Sequence, residues 1–133
     1  MAFILDASVA VGWVVGAQST PYSRRLRLRA KREPYHAPTL WRLEVVNVVR
    51  SLTRRGTMSL EVGRTAVDIL DRMQPVFHEP ALALPELLDL AQRYGLTSYD
   101  ACYLALALEL KMPMACSDGP LQAALKAAGL RLA

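Results

Sequence analysis

LTSYDACYLALALELKMPMACSD (residues 96–118) sets two elements end to end. From Ala101 to Leu108 every residue is apolar, so the helix predicted here is buried nearly all round. Met112 to Ser117 then predicts a short strand. Two carboxylates interrupt this apolar passage: Asp100 in the first turn of the helix and Asp118 at the end of the strand. Carboxylates in such company must be satisfied by a cap, a partner or a ligand.

The same alternation recurs along the chain. AFIL (2–5) predicts a buried strand that ends at Asp6, and Ser8 is placed to cap a short helix through Val15, closed by Gly16. Thr20-Pro21 marks a helix start, and the basic helix that follows runs to about Arg32, before Pro34. YHA (35–37) reads as extended. Thr39 is then expected to open a helix whose apolar stripe is Leu40, Leu43, Val45 or Val46, Val49 and Leu52, stopped by Gly56.

Ser59 should cap a further helix carrying Leu60, Val62, Val67, Leu70 and Met73, up to Pro75. A short strand near PVF (75–77), a helix from about Ala83 to Tyr94 with Gly95 beyond its end, a final helix from Pro120 to Gly129, and a possible edge strand LRL (130–132) complete the reading. Short apolar strands alternating with helices predict an α/β fold: a three-layer α/β/α sandwich with a central, mainly parallel sheet. With 133 residues and 53% hydrophobic composition, one domain spanning 1–133 is expected.

The composition excludes several classes. Cys102 and Cys116 lack zinc-site spacing and read as small buried hydrophobes in a reducing compartment. Gly, Pro and polar residues interrupt the uncharged run from Ala7 to Ser23, and no basic stretch precedes AFIL, so neither a membrane span nor a secretory signal is expected. A cytoplasmic protein is the expectation. The net charge of +4 is concentrated: ten of sixteen Lys and Arg lie between Arg24 and Arg55. Such a flank suits a polyanionic or acidic partner, although the run from Arg24 to Arg32 also suits an ordinary solvated helix face.

Of twelve acidic residues, Glu61, Asp68, Asp71, Glu86 and Asp89 fall on amphipathic helices as surface charges. Asp6, Glu44, Asp100 and Asp118 are instead flanked by residues that favour burial. Each has a local explanation: a turn after a strand for Asp6, an exposed helix position for Glu44, a capping box Thr97-x-x-Asp100, and a cap across Gly119-Pro120 for Asp118. Ligands of parallel sheets gather beyond the carboxyl ends of strands, where Asp6 and Asp118 should emerge. Converging carboxylates repel one another unless cations neutralise them, and Mg²⁺ or Mn²⁺ suits oxygen donors and phosphate oxygens. Two such ions about 4 Å apart can activate water against a phosphodiester. An acidic pocket beside a basic flank is the pattern of a nuclease.

FILDASVAVGW, APTLWRLEVVNVV, LTSYDACYLALALEL and MACSDGPLQAALKAAGL resemble, in order and separation, the PIN-domain ribonucleases, and among them the VapC-type toxins of toxin–antitoxin pairs. The resemblance implies a PIN-like fold with Asp6, Glu44, Asp100 and Asp118 as the metal-binding and catalytic acids. It implies Mg²⁺ or Mn²⁺ as cofactor, RNA such as tRNA or another structured RNA as substrate, a cognate antitoxin as partner, and a homodimer. Ser8, Asn47 and Ser117 would support the acids, and Arg50 and Arg54 are candidate substrate contacts. Many relatives carry Thr or Ser two residues before the fourth acid, where this chain has Cys116, a weaker hydrogen-bonding group.

Trp13, Trp41, Tyr99 and Tyr103 are expected in packing roles, and His36 and His78 as isolated residues. Two alternatives accompany the nuclease: a nonenzymatic RNA- or partner-binding module of the same fold, and a phospho-acceptor signalling domain. The second wants adjacent N-terminal acids and a late strand-end lysine, and the sequence shows neither.

Overall fold

The computed structural model describes residues Met1–Ala133. Phe3, Ile4 and Leu5 form strand β1 (Phe3–Leu5) and are wholly buried, as a run of three apolar residues must be when both faces of its sheet are covered. Strands β2 (Tyr35–Pro38), β3 (Val76–His78) and β4 (Met114–Ala115) join it in the order β3-β2-β1-β4. Every pairing is parallel, with Phe3 opposite Tyr35, Ile4 opposite Met114 and His36 opposite Val76. Parallel strands need crossover connections, and helices supply them.

Helices α1 (Ala7–Val14), α2 (Pro21–Ala30), α3 (Trp41–Arg54) and α4 (Leu60–Arg72) pack on one another. Helices α5 (Leu84–Tyr94) and α7 (Gly119–Ala127) flank α6 (Ser98–Leu110), which lies across β1 and β2. In α6, Ala101 to Ala107 are all buried, as the apolar run requires. The result is the expected α/β/α sandwich, a parallel sheet between helical layers.

Local chemistry sets the helix ends. Thr20 and Ser23 form a reciprocal capping box with Pro21 at the first helical position of α2. Ser59 caps α4, and Gly95 ends α5 at φ 63°. Gly63 permits the close approach of α4 to α3, since a Cβ there would lie 2.7 Å from the Thr53 methyl.

Three boundaries differ from the sequence reading. Helix α1 begins at Ala7 with Asp6, not Ser8, at the N-cap position, because the Ser8 hydroxyl is turned back onto the Asp6 carboxylate. Helix α3 begins at Trp41, because Thr39 is held to the end of β3: its amide donates to the His78 carbonyl at 3.0 Å and its hydroxyl to Glu79. The large Trp41 ring then takes the inward direction, and the stripe becomes Trp41, Val45, Val49 and Leu52. Leu43 and Val46 are left exposed, as are Leu60 and Val62 on α4, where Gly63, Ala66 and Leu70 turn inward. The edge strand at 130–132 shrinks to one parallel bridge, Met114 to Leu132, because β4 offers only two residues to pair with.

Candidate active site

Asp6 follows β1 and Asp118 stands three residues beyond β4, and the Asp6 amide donates a hydrogen bond to the Ala115 carbonyl at 3.0 Å, which locks the two strand ends together. Asp6 is 7% exposed. Its Oδ2 accepts from the Ser8 hydroxyl at 2.5 Å. Burial raises its pKa, the Ser8 hydroxyl and the amides of Ser8 and Ala7 oppose that rise, and the Asp118 charge adds to it.

Asp118 is exposed and caps α7, accepting from the Leu121 amide at 2.9 Å through Oδ2. The capping explanation therefore holds for one of its oxygens. Asp100 differs. Its amide donates to the Thr97 hydroxyl at 3.1 Å, but its carboxylate makes no return bond, so only half of the expected capping box forms. The Asp100 carboxyl is pushed up to about 6 by burial and then by Asp118 and Asp6.

Glu44 lies in the first turn of α3, half-buried, with its carboxyl pushed up to about 7. Burial is the largest cause, the Tyr103 hydroxyl opposes it, and the charges of Asp6 and Asp100 add to it. Thus Asp6, Glu44 and Asp100 each feel at least one other acid, and the set lies beyond the carboxyl ends of β1, β2 and β4.

Cys116, wholly buried, lies within the field of Asp6, Asp118 and Asp100. Burial first and those three charges next push its thiol up to about 12, so it stays protonated. Of the expected supporting residues, Ser8 reaches an acid. Asn47 and Ser117 are exposed and make no hydrogen bond to the acids, because Asn47 points off the inward stripe of α3 and Ser117 sits on the open side of the chain after β4. Arg50 and Arg54 are exposed, free of ion pairs, and follow Asn47 along one stripe of α3.

The donor set fits a hard divalent cation. It consists of carboxylate oxygens, none of them in an ion pair with Lys or Arg. No three of these acids close into a ligand cage of their own. Magnesium, held by one or two carboxylates with its remaining positions filled by water, does not require one.

Two features escaped the sequence reading. His36 and His78 are not isolated: their rings stack with Nδ1 and Nε2 2.9 Å apart, because β2 and β3 are neighbours. Tyr103 is wholly buried within the field of Asp6 and Glu44, and the i, i+3 spacing from Asp100 was the available signal. Trp13, donating to the Ser23 carbonyl at 2.7 Å, and Trp41 are buried. Tyr99, by contrast, is 62% exposed.

Among solved structures, the chain is similar to PAE2754 from Pyrobaculum aerophilum, with a TM-score of 0.67 and 24% identity over 93% of this chain and 87% of that one. It is also similar to VapBC2 from Rickettsia felis, bound to a DNA fragment from their promoter, with a TM-score of 0.65 and 17% identity over 100% of this chain and 98% of that one. No curated protein sequence matches. The PIN domain profile aligns with residues 3–124, from the first residue of β1 into α7, and so takes in all four acids: the chain belongs to the PIN domain family.

Proposed function

We propose that the chain is a single-domain, metal-dependent endoribonuclease of VapC type, a toxin that hydrolyses RNA phosphodiester bonds and is neutralised by a cognate antitoxin. The observation that carries this reading is the gathering of four carboxylates beyond the strand ends, where Asp6, Glu44 and Asp100 are raised by burial first and by neighbouring acids second. Buried carboxylates held against their own repulsion signal a cation site. PIN domains are generally nucleases that use divalent metal, which supports the same reading.

Asp6 and Asp100 would hold the cation directly, Asp118 directly or through water with the oxygen its helix cap leaves free, and Glu44 would bind it or orient the attacking water. When bound, Mg²⁺ or Mn²⁺ supplies Lewis acidity that eases proton loss from water and steadies charge on phosphodiester oxygens. The Ser8 hydroxyl fixes the rotamer of Asp6. Without a cation, burial and the neighbouring acids push the Glu44 carboxyl up to about 7, and a bound cation would favour its charged form. Arg50 and Arg54 track the RNA backbone.

The likeness to VapBC2, a pair solved together on DNA, supports an antitoxin partner. A homodimer and a cytoplasmic location belong to the same proposal, and no helix is long and apolar enough to cross a membrane. The test is RNA cleavage by the purified protein with Mn²⁺. Cleavage stopped by EDTA and absent from Asp6→Asn supports the reading, and cleavage unaffected by either ends it.

A further inference from the structure

The Tyr103 hydroxyl and Glu44 Oε1 are both sealed from solvent, and neither makes a hydrogen bond. Buried phenol hydroxyls ordinarily find partners, so two orphans side by side call for an explanation. Their proximity is visible in their chemistry. The hydroxyl opposes the upward push on Glu44, while burial, Asp6 and Glu44 raise the Tyr103 phenol far above its ordinary value. Tyr103 also projects from the same face of α6 as Asp100, one turn earlier.

We propose that Tyr103 is a positioning residue of the acidic site, whose hydroxyl donates to the inner oxygen of Glu44 once a cation is held and so keeps the outer oxygen toward Asp6 and Asp100. The inference rests on the reading of these acids as a cation site. Solvent does not reach Oε1 and no donor meets it in the metal-free fold, which leaves the phenol as the donor whose influence Glu44 feels. Glu44 on α3 and Asp100 on α6 belong to different layers, and Tyr103 ties the first to the helix that carries the second.

Tyr103→Phe keeps the ring and removes only the donor. Because the hydroxyl is unpaired in the metal-free fold, its loss should leave the melting temperature unchanged or raise it. Mn²⁺ titration followed by electron paramagnetic resonance should show an affinity about tenfold weaker than in the unaltered protein. In a Glu44→Gln background the same change should alter affinity less than about twofold, since the two residues act as one unit. Unchanged affinity in Tyr103→Phe, or an equal loss in both backgrounds, overturns the inference and leaves the cation site standing. Failure of the unaltered protein to bind Mn²⁺ overturns both.

A second readout needs no change at Tyr103. Added Mg²⁺ should shift the tyrosine absorption of the unaltered protein, and the shift should vanish in Glu44→Gln. Its absence from the unaltered protein, or its persistence in the variant, counts against the inference.

Discussion

The Asp100 amide donates to the Thr97 hydroxyl at 3.1 Å while the Asp100 carboxylate gives nothing back to Thr97. The two residues therefore separate fold from function at one helix end. Thr97→Ala removes the cap and should cost about 1 kcal/mol of stability while sparing RNA cleavage. Asp100→Asn keeps the cap, removes a charge repelled by Asp118 and Asp6, and should abolish cleavage without loss of stability. Urea denaturation and an RNA assay on both variants check this; an active Asp100→Asn protein would contradict the role assigned to the acid.

The raised acids also predict a pH dependence. A carboxyl whose folded pKa exceeds its unfolded value binds more protons in the folded state between the two values, so stability falls as pH rises through that window. For Asp100 and Glu44 the window runs from the ordinary carboxylate range up to about 6 and about 7 respectively. In EDTA the protein should thus lose stability from pH 4 toward 7 through these groups. His36, whose pKa is lowered by burial and by His78, acts in the opposite sense below the ordinary histidine value. The diagnostic is the difference between EDTA and Mn²⁺, which should grow from acid to neutral pH; a difference independent of pH would contradict the assignment.

Arg50 and Arg54 are exposed and unpaired on α3, the helix that carries Glu44. Changing both to Gln should weaken RNA binding, reduce the slope of log affinity against log salt by about 1 to 1.5, and leave Mn²⁺ affinity and stability unchanged. An unaltered slope would place the RNA backbone elsewhere, with the basic face of α2 the next surface to test.

The histidine pair supplies a test of the sheet. Burial and the neighbouring His78 hold His36 below its ordinary value, and its Nδ1 lies 2.9 Å from the His78 ring. His78→Asn should raise the His36 pKa toward that of a free imidazole, as read by NMR titration. In the unaltered protein the same titration should place the His36 transition below that of an ordinary histidine, and an ordinary His36 would contradict the buried pairing.

Much of this was legible in the sequence because it depended on neighbours in the chain. Thr20-Pro21, Ser59 and Gly95 fix their helix ends by local chemistry, and the burial of α6 follows from its own composition. Asp6 and Asp118 could be placed at one sheet edge because each follows a short apolar strand. The rest depended on contacts across the fold. Thr39 looked like a helix cap until the end of β3 claimed it, and the inward face of α3 was decided by Trp41 against the apparent stripe through Leu43. The histidine pair and the Tyr103–Glu44 relationship join segments far apart in the chain, which periodicity does not report.

Cys116 is where the chain departs from the hydroxyl residue carried by many PIN-domain relatives. Its thiol is wholly buried, protonated, and within the field of Asp6, Asp118 and Asp100. A thiol donates weakly, whereas a serine hydroxyl in the same place would donate to a carboxylate and favour its charged form. Cys116→Ser should therefore tighten Mn²⁺ binding by up to about fivefold, the equivalent of one modest hydrogen bond. It should also move the pH midpoint of binding downward. Cys116→Ala, which offers no donor, should do neither. Mn²⁺ titrations of the two variants at pH 6 and 7.5 separate these outcomes, and equal affinities for both would show that the atom at this position does not speak to the acids.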